Sequence, residues 1–208
     1  MVDIHAITGL VLAGGRGTRM GGIDKGLQYF NGQPLAQHAL KRLRPQVQSL
    51  VLSANRHLDA YAVFGVPVWP DADADFAGPL AGMLAGLSHC STPYLATVPC
   101  DAPLFPLDLV ERLASVAADI VVATAPGETG VLRAQPVFCL LRADLRDSLA
   151  QFIASGGRKV GQWMAQHHCV QVVFTEPQAF ANANTLPELA EIQQKINPWC
   201  NSHLHQKL

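Results

Sequence analysis

Charged residues are scarce in this sequence, and the two signs are balanced. Only 15% of the 208 residues are charged, and 15 Lys and Arg residues stand against 16 Asp and Glu residues, a net charge of −1. Because positive charge is not in excess, the chain lacks the composition of a protein that coats nucleic acid, and any anion-binding site must be local. Hydrophobic residues make up 49% of the chain, which excludes disorder over most of its length.

Paired cysteines and long apolar runs are missing as well. The cysteines are odd in number and include no C-x-x-C pair, which disfavours a disulfide framework or a zinc ribbon and indicates a reducing cytoplasm. No run reaches the roughly 18 apolar residues of a membrane span. The N-terminal stretch MVDIHAITGLVLAGG contains no Lys or Arg and carries Asp3 and His5, so we do not expect a signal peptide.

What the sequence does contain is an alternation of short apolar runs with longer segments of helical period. The predicted strands are Gly9–Ala13, Leu50–Ala54, Val66–Pro70, Tyr94–Pro99, Asp119–Thr124, Pro136–Leu141 and Cys169–Phe174. The predicted helices are Pro34–Leu43, Pro79–His89, Pro106–Ala117, Leu145–Ser155, Lys159–His167 and Pro187–Lys195. Several strands are almost continuously apolar, as in strands that helices cover on both faces. The pattern predicts a three-layer α/β fold with a mostly parallel sheet.

One strand is expected to run against the others. A connection of only about ten residues, with a turn at Pro126–Gly130, precedes Pro136–Leu141 and is too short for a helical crossover, so this pair is predicted to be antiparallel. The chain length suits one domain over residues 1–197. The tail, residues 198–208, loses the periodic pattern and is expected to be frayed.

The most informative segment directly follows the first predicted strand. Residues 12–27 read LAGGRGTRMGGIDKGL, in which the cations Arg16, Arg19 and Lys25 stand among glycines against one acidic residue, Asp24. Glycines allow backbone N–H groups to approach an anion because no Cβ is in the way, and Arg and Lys neutralise phosphate oxygens. Ligands of α/β sheets bind at the carboxyl ends of strands, where this loop lies. The segment therefore predicts a phosphate-binding loop.

Two common nucleotide-binding loops do not match this segment. A Walker A loop requires G-x-x-x-x-G-K-[ST], but Lys25 stands between Asp24 and Gly26. A Rossmann G-x-G-x-x-G that starts at Gly15 meets Met20 at its third glycine position. These mismatches exclude a P-loop NTPase and an ordinary NAD site. The sequence also lacks H-E-x-x-H and G-x-S-x-G, so neither a zinc protease nor a serine hydrolase is indicated.

Polar residues follow later strands of the predicted sheet. Asp101 stands just beyond the fourth strand, where a carboxylate near a phosphate loop is a natural ligand for Mg²⁺, which takes one or two carboxylates plus substrate phosphates. Asn55 follows the second strand and offers a donor and an acceptor for a base edge, although a turn-forming role is the alternative. A carboxylate such as that of Asp71 can accept hydrogen bonds from ring N–H groups or from hydroxyls. Asp73 and Asp75 are more typical of a solvated acidic loop.

Two glycines inside the predicted helix Pro79–His89 require an explanation. Gly82 and Gly86 each cost about 1 kcal/mol relative to alanine in a helix interior. A close approach to the nucleotide or to a neighbouring element would account for them, and the sequence leaves both explanations open.

The glycine-rich loop resembles the nucleotidyltransferase signature L-A-G-G-x-x-x-R-M-G-G-x-D-K, specifically that of the molybdenum cofactor guanylyltransferase family, which attaches GMP to molybdopterin. Further segments recur in the family's order and at similar spacing: SANRH at 53–57, the acidic run Asp71–Asp75 leading into GPLAGM at 78–83, VPCDAP at 98–103, QPVF at 135–138 and NANT at 182–185. The loop alone defines only the broad superfamily. Its combination with the later segments is much more specific and extends over nearly the whole chain.

The resemblance implies a three-layer Rossmann-like nucleotidyltransferase fold and the transfer of GMP from GTP to molybdopterin, with release of pyrophosphate. It implies Mg²⁺ as the cofactor, held by Asp101, and catalytic roles for Arg19, Lys25 and Asp101. The GTP-binding residues that it implies are Leu12, Ala13, Gly14, Gly15, Lys25, Asn55, Asp71 and Asp101. The candidates for binding the second substrate are Arg158, Lys159, Asn182 and Asn184, although a solvated helix start explains the first two equally well.

One segment departs from the family pattern. The family reads N-x-N-T-P-E-E-L, whereas residues 182–189 read NANTLPEL, a displacement of the proline that is expected to shift the start of the last helix and to leave the asparagines in place. The expected partners are GTP and molybdopterin, with molybdoenzyme chaperones or other cofactor-biosynthesis proteins as further candidates. Neither nucleic acid nor a membrane is expected.

Two alternative functions stay open at this point. A cytidylyltransferase or a sugar-nucleotide transferase would share the same phosphate loop and differ in the base or acceptor that it selects. A nucleotide-binding adaptor without turnover, which supports delivery of the cofactor to a molybdoenzyme, would belong to a different class. Release of pyrophosphate in the presence of molybdopterin separates the adaptor from the enzymes.

Overall fold

A computed structural model of the protein describes residues 2–13, 24–71, 78–127, 129–176, 178–183 and 185–196. Its strands are β1 (Ile7–Leu12), β2 (Tyr29–Phe30), β3 (Gln33–Pro34), β4 (Ser49–Ser53), β5 (Val68–Trp69), β6 (Tyr94–Pro99), β7 (Ile120–Pro126), β8 (Leu132–Arg142) and β9 (Cys169–Val173). Its helices are α1 (Leu35–Leu43), α2 (Leu58–Ala62), α3 (Pro79–His89), α4 (Leu109–Ala114), α5 (Arg146–Ala154), α6 (Val160–Met164) and α7 (Leu186–Ile196). The predicted tail, residues 198–208, lies outside the described residues.

Most of the described strands form one sheet in the order β5-β4-β1-β6-β8-β7-β9. β1 is parallel to both β4 and β6, and β4 is parallel to β5, so the carboxyl ends of these strands lie at one edge. β8 is antiparallel to β6 and to β7, and β9 is parallel to β7. The prediction of a mostly parallel sheet with an antiparallel strand is confirmed. β2 and β3 form a separate antiparallel pair.

Helices cover both faces of the sheet. Ile7 and Val11 of β1 belong to the apolar cluster that includes α1 and α4, whereas Leu10 and Leu12 belong to the cluster that includes α3, α5 and α6. Because successive side chains of a strand point to opposite faces, every residue of β1 is buried. The nearly continuous apolar character of this strand therefore reflects a three-layer fold, as predicted.

The observed elements differ from the predicted ones mainly where the chain is exposed or the element is short. β8 begins at Leu132 rather than at Pro136, and Leu132, Arg133 and Ala134 are exposed, so no apolar run marks this part of the strand. The pairing of β7 with β8 shifts register between Val122 and Ala123. The elements α2, β2 and β3 were not predicted because periodicity cannot identify segments this short. Among the described residues, no helix is long and apolar enough to cross a membrane.

Gly82 and Gly86 allow α3 to lie close to the sheet. A Cβ at Gly82 would lie 2.5 Å from Leu12 Cδ2 and 2.9 Å from the Ser53 hydroxyl oxygen, and a Cβ at Gly86 would lie 2.6 Å from Leu10 Cδ2. Carbon atoms in favourable contact are about 3.5–4.0 Å apart. Packing of α3 against β1 and β4 therefore accounts for both glycines.

Gly86→Ala is expected to lower the free energy of unfolding by about 1–3 kcal/mol because the core is overpacked. The new methyl group would press on Leu10 and Leu95, which outweighs the gain of about 1 kcal/mol in helix propensity. Gly161→Ala in α6 is the matched control, since nothing lies within 4 Å of its Cβ position, and it should stabilise the protein or leave it unchanged. Urea denaturation of both variants decides the point; equal stability of Gly86→Ala and the unaltered protein would contradict the close packing of α3.

Candidate active site

The carboxyl ends of β1, β4 and β6 meet at one edge of the sheet. The Cys100 N–H donates to the Leu12 carbonyl over 3.0 Å, and the Ala13 N–H donates to the Ser53 carbonyl over 2.9 Å. The parallel pairing thus continues to the last residues of each strand. Leu12 and Ala13 are the last residues described before the glycine-rich loop, and they lie beside the ends of β4 and β6.

Lys25 and Asp101 meet at this edge although they are far apart in the sequence. The Lys25 ammonium lies 3.3 Å from Asp101 Oδ2, with 24% of the lysine side chain and 19% of the aspartate side chain exposed. These two of the three predicted catalytic groups are thus partly sheltered but accessible to a ligand. An ammonium beside a carboxylate can bind a phosphate oxygen while the carboxylate takes part in holding a cation.

Backbone contacts anchor the turn that carries Asp101. The Ala183 N–H donates to the Asp101 carbonyl over 2.7 Å, which ties the NANT segment to this turn. The Arg42 guanidinium of α1 donates to the carbonyls of Leu104, over 3.3 Å, and Phe105. These contacts hold the backbone at Asp101 and in the residues that follow it. Asn182, next to Ala183, is exposed.

Asn55 and Asp71 bind each other. The Asn55 amide donates to Asp71 Oδ2 over 2.6 Å, and its carbonyl accepts the Asp71 backbone N–H over 2.7 Å. The Ser53 hydroxyl donates to Asp71 Oδ1 over 3.3 Å. Burial raises the pKa of Asp71, and the hydrogen bonds from Asn55 and Ser53 act in the opposite direction. Asn55 therefore orients Asp71, a role that the sequence reading of a base-contacting amide did not foresee.

Asp24 is the centre of a hydrogen-bond network that sequence reasoning missed. Its carboxylate accepts the Gly26 N–H over 3.2 Å, the Tyr61 hydroxyl, and the His57 Nδ1–H over 3.0 Å. Burial, followed by the hydrogen bond to Asp24, raises the pKa of Tyr61. A Cβ at Gly26 would lie 2.3 Å from the Tyr61 hydroxyl oxygen, which accounts for that glycine. The signal in the sequence is a single acidic residue in a cationic loop, but the sequence does not indicate that His57 and Tyr61 are its partners.

Arg158 and Lys159 follow the end of α5. The Arg158 guanidinium donates to the Gly157 carbonyl over 2.8 Å and to the Ile153 carbonyl over 3.3 Å. A cation is favourable at the carbonyl end of a helix, so Arg158 contributes to the end of α5. Lys159 precedes the first residue of α6 and is exposed.

Several predicted site residues belong to segments outside the described part of the chain. Gly14, Gly15, Arg19 and Asn184 lie outside the described residues, as do the loop residues Asp73 and Asp75. The cap of α7 comes from Thr185, whose hydroxyl accepts the Glu188 N–H over 3.2 Å. The helix begins at Leu186, so the displaced proline is its second residue.

The part of the chain that the structure describes contains no group of three or more His, Cys, Asp or Glu residues able to hold a metal ion. Asp101 is a single, partly exposed carboxylate with the Lys25 ammonium beside it. Mg²⁺ binds through one or two carboxylates when substrate phosphates supply other ligands. The residues present therefore fit a cation that arrives with a nucleotide better than one held by the protein alone.

The chain is similar to a known protein family over most of its length. The family model described as the MobA-like NTP transferase domain matches residues 9–171. The molybdenum cofactor guanylyltransferase of Acidovorax ebreus is 57% identical over 206 residues, which cover 93% of this chain and 98% of that protein. The molybdenum cofactor guanylyltransferase of Bordetella petrii is 59% identical over 196 residues, which cover 92% and 100% of the two chains.

Solved structures share the fold at low sequence identity. Molybdopterin-guanine dinucleotide biosynthesis protein A of Archaeoglobus fulgidus matches with a TM-score of 0.73 and 19% identity over 92% of this chain and 99% of that chain. The 4-diphosphocytidyl-2C-methyl-D-erythritol synthase of Anaerococcus prevotii matches with a TM-score of 0.75 and 11% identity over 94% and 100%. These likenesses confirm the three-layer nucleotidyltransferase fold.

Three features define the class of protein: the sheet, the cationic glycine-rich loop of the sequence, and the Lys25–Asp101 pair at the carboxyl edge of the sheet. The chain is a nucleotidyltransferase. It belongs to the family of MobA-like NTP transferase domains. Within that family, its sequence identity to curated relatives places it with the molybdenum cofactor guanylyltransferases. The resemblance identified from the sequence motifs is thereby confirmed.

Proposed function

We propose that the protein transfers GMP from GTP to molybdopterin, giving molybdopterin guanine dinucleotide and pyrophosphate. The observation that carries the proposal is the meeting of Lys25 and Asp101 at 3.3 Å at the carboxyl edge of a nucleotidyltransferase sheet. Relatives that are 57% and 59% identical are named for guanylyl transfer.

The chemistry asks little of the protein in the way of proton transfer. The terminal phosphate of molybdopterin attacks the α-phosphorus of GTP, a new P–O bond forms, and the bond to the pyrophosphate oxygen breaks. Because the attacking group is already an anion, no general base is required. Catalysis then consists of positioning and of neutralising charge.

Lys25 and Asp101 supply opposite charges for this task. The Lys25 ammonium would bind the triphosphate and stabilise the departing pyrophosphate, together with Arg19 and the backbone of Gly14 and Gly15. The ion pair with Asp101 holds the ammonium at the edge of the sheet before the nucleotide arrives. A charge that is already in place costs no reorganisation during the reaction.

We further propose Mg²⁺ as the cofactor, with Asp101 as the residue that would hold it. The fit rests on a partly exposed carboxylate beside the predicted phosphate loop, with the remaining ligands supplied by phosphates and water. When bound, the ion would neutralise phosphate charge. The Ala183 N–H, which donates to the Asp101 carbonyl, holds the backbone that carries this carboxylate.

Nucleotide and acceptor would use different parts of the edge. Asp71, oriented by Asn55, would accept hydrogen bonds from guanine or from the ribose. The nucleotide would also contact the backbone of Leu12 and Ala13, at the end of β1. Asn182 lies one residue from the backbone contact to Asp101, which supports a role in binding molybdopterin. Arg158, Lys159 and Asn184 remain further candidates for this second substrate.

The wider assignments stay proposals too. We propose that residues 1–197 act as one domain in the cytoplasm, with the tail, 198–208, outside it. The cysteines within the described residues are free thiols, as a reducing compartment would leave them. Molybdoenzyme chaperones or other cofactor-biosynthesis proteins are the proposed protein partners, and no role with nucleic acid is proposed.

Turnover of the purified full chain tests the proposed function. With GTP, molybdopterin and Mg²⁺, we expect release of pyrophosphate in step with formation of the guanine dinucleotide. GTP binding without pyrophosphate release would identify the adaptor instead. Turnover with a sugar phosphate but not with molybdopterin would identify a sugar-nucleotide transferase. A reaction without enzyme and one without molybdopterin are the controls.

A further inference from the structure

Asp24 is a carboxylate for which the proposed chemistry has no direct use, yet it immediately precedes Lys25 and is only 9% exposed. We propose that Asp24 is a positioning residue: with Tyr61 and His57 it fixes the turn that carries Lys25, so that the ammonium stays at Asp101 and ready for the triphosphate. This inference rests on the proposed function, in which Lys25 binds the triphosphate.

The burial of Asp24 gives the network its rigidity. A buried carboxylate is costly unless hydrogen bonds satisfy its oxygens. Oδ1 accepts the Gly26 N–H and the Tyr61 hydroxyl, and Oδ2 accepts the His57 Nδ1–H. Tyr61 is itself fully buried in the core against the sheet. The position of Asp24 is therefore set by a side chain that cannot move independently of the fold.

The turn after Asp24 transmits this position to Lys25. Residues Lys25–Leu27 form a single 3-10 turn, with Asp24 as its N-cap through the Gly26 N–H. The Leu27 N–H donates to the Asp24 carbonyl over 3.3 Å, and the Gln28 N–H donates to the Lys25 carbonyl over 3.0 Å. With Asp24 bound to Tyr61 on one side of Lys25 and Gly26 packed against the same ring on the other, the lysine backbone is held from both directions.

His57 extends the network to the loop after β4. Its side chain is 53% exposed, so its bond to Asp24 closes the outer side of the network. Its backbone has a φ of 51°, a left-handed conformation that is uncommon for residues other than glycine. The bond between His57 and Asp24 therefore links the segment that carries Lys25 to the SANRH segment.

A double-mutant cycle distinguishes positioning of Lys25 from a general contribution to stability. Asp24→Asn keeps the volume but leaves one acceptor oxygen, and Tyr61→Phe removes one donor and leaves the edge of the sheet untouched. Lys25→Ala alone should lower kcat/KM for GTP at least about tenfold, the loss of one charge-assisted contact. Asp24→Asn and Tyr61→Phe should each lower it about fivefold or more, and neither should lower it further in the Lys25→Ala background.

The controls separate the possible failures. His57→Asn keeps a residue that tolerates the left-handed backbone and loses the reach to Asp24, so it should follow Tyr61→Phe. Ser148 of α5 accepts a hydrogen bond from the Trp163 indole N–H and forms another with His167. Ser148→Ala removes both bonds, so it should lower the melting temperature without changing kcat/KM.

The same cycle is measured for the dissociation constant of GTP, which needs no turnover. Two outcomes would overturn the positioning role. In one, the effects of Asp24→Asn and Tyr61→Phe multiply with the effect of Lys25→Ala. In the other, the variants fold and leave kcat/KM and the dissociation constant of GTP unchanged. If Lys25→Ala itself changes neither constant, or the unaltered protein fails to turn over GTP, the proposed function is at fault instead. Because Tyr61→Phe conserves volume, it provides the test even if Asp24→Asn does not fold.

Discussion

Asp101→Asn is expected to lower kcat by about 10²–10³-fold or more, the cost of removing a preorganised group that acts on developing charge. The substitution conserves volume and removes the negative charge that pairs with Lys25 and that would bind Mg²⁺. The backbone bond from Ala183 to Asp101 is independent of the side chain, so the fold should persist. The measurement is kcat at saturating Mg²⁺, together with the thermal unfolding temperature.

Asp108→Asn is the matched control for this substitution. Asp108→Asn is the same chemical change at a surface position. The Asp108 side chain is 53% exposed, and its carboxylate lies 3.8 Å from the Arg112 guanidinium. Because exposed ion pairs contribute little, kcat and stability should hardly change. Full activity of Asp101→Asn at saturating Mg²⁺ would remove the metal assignment, whatever the control shows.

A preference for GTP over CTP of about 10²-fold or more in kcat/KM is the second large expected effect, because a site built to hydrogen-bond one base leaves its own polar groups unpaired with another. Contacts to the phosphates do not distinguish one base from another, so we expect selection to come from Asn55 and Asp71, along with backbone groups near Leu12 and Ala13. Guanine presents N–H donors beside its O6 acceptor, which suits a carboxylate that accepts. Competition between the two nucleotides, with molybdopterin limiting, measures the ratio.

Asp71→Asn identifies the part of the nucleotide that this carboxylate reads. If Asp71 accepts the guanine N–H groups, the substitution should lower GTP turnover and narrow the ratio of GTP to CTP. If it binds the ribose, both nucleotides should lose activity equally and the ratio should persist. A main product that contains cytosine in the unaltered protein would transfer the chain to the cytidylyltransferase alternative and leave the role of Asp101 intact.

The elements that the sequence predicts well are those whose burial dictates their composition. β1 is covered on both faces, so its apolar run was visible without any partner, and α3 begins and ends at its predicted residues, Pro79 and His89. The exposed beginning of β8 at Leu132 could not be found in this way. Its pairing with β7 comes from backbone hydrogen bonds, which leave little trace in the side chains.

The sequence named candidate residues for the site but not the contacts between them. Sequence reasoning proposed Lys25, Asp101, Asn55 and Asp71 as separate candidates, and the structure pairs Lys25 with Asp101 and Asn55 with Asp71. The network around Asp24 joins residues that are more than thirty positions apart. Without an indication of which loops meet in space, spacing along the chain cannot disclose such partners.

The position of β8 in the sheet determines when the sheet around β6 can form during synthesis of the chain. β6, which leads to Asp101, pairs with β1 from the N-terminal part of the chain and with β8, which emerges later. Until β8 is added, β6 has an open edge, and such edges recruit other chains. The Ala183 contact to Asp101 forms later still. A chain that stops before Leu132 should therefore aggregate rather than bind nucleotide.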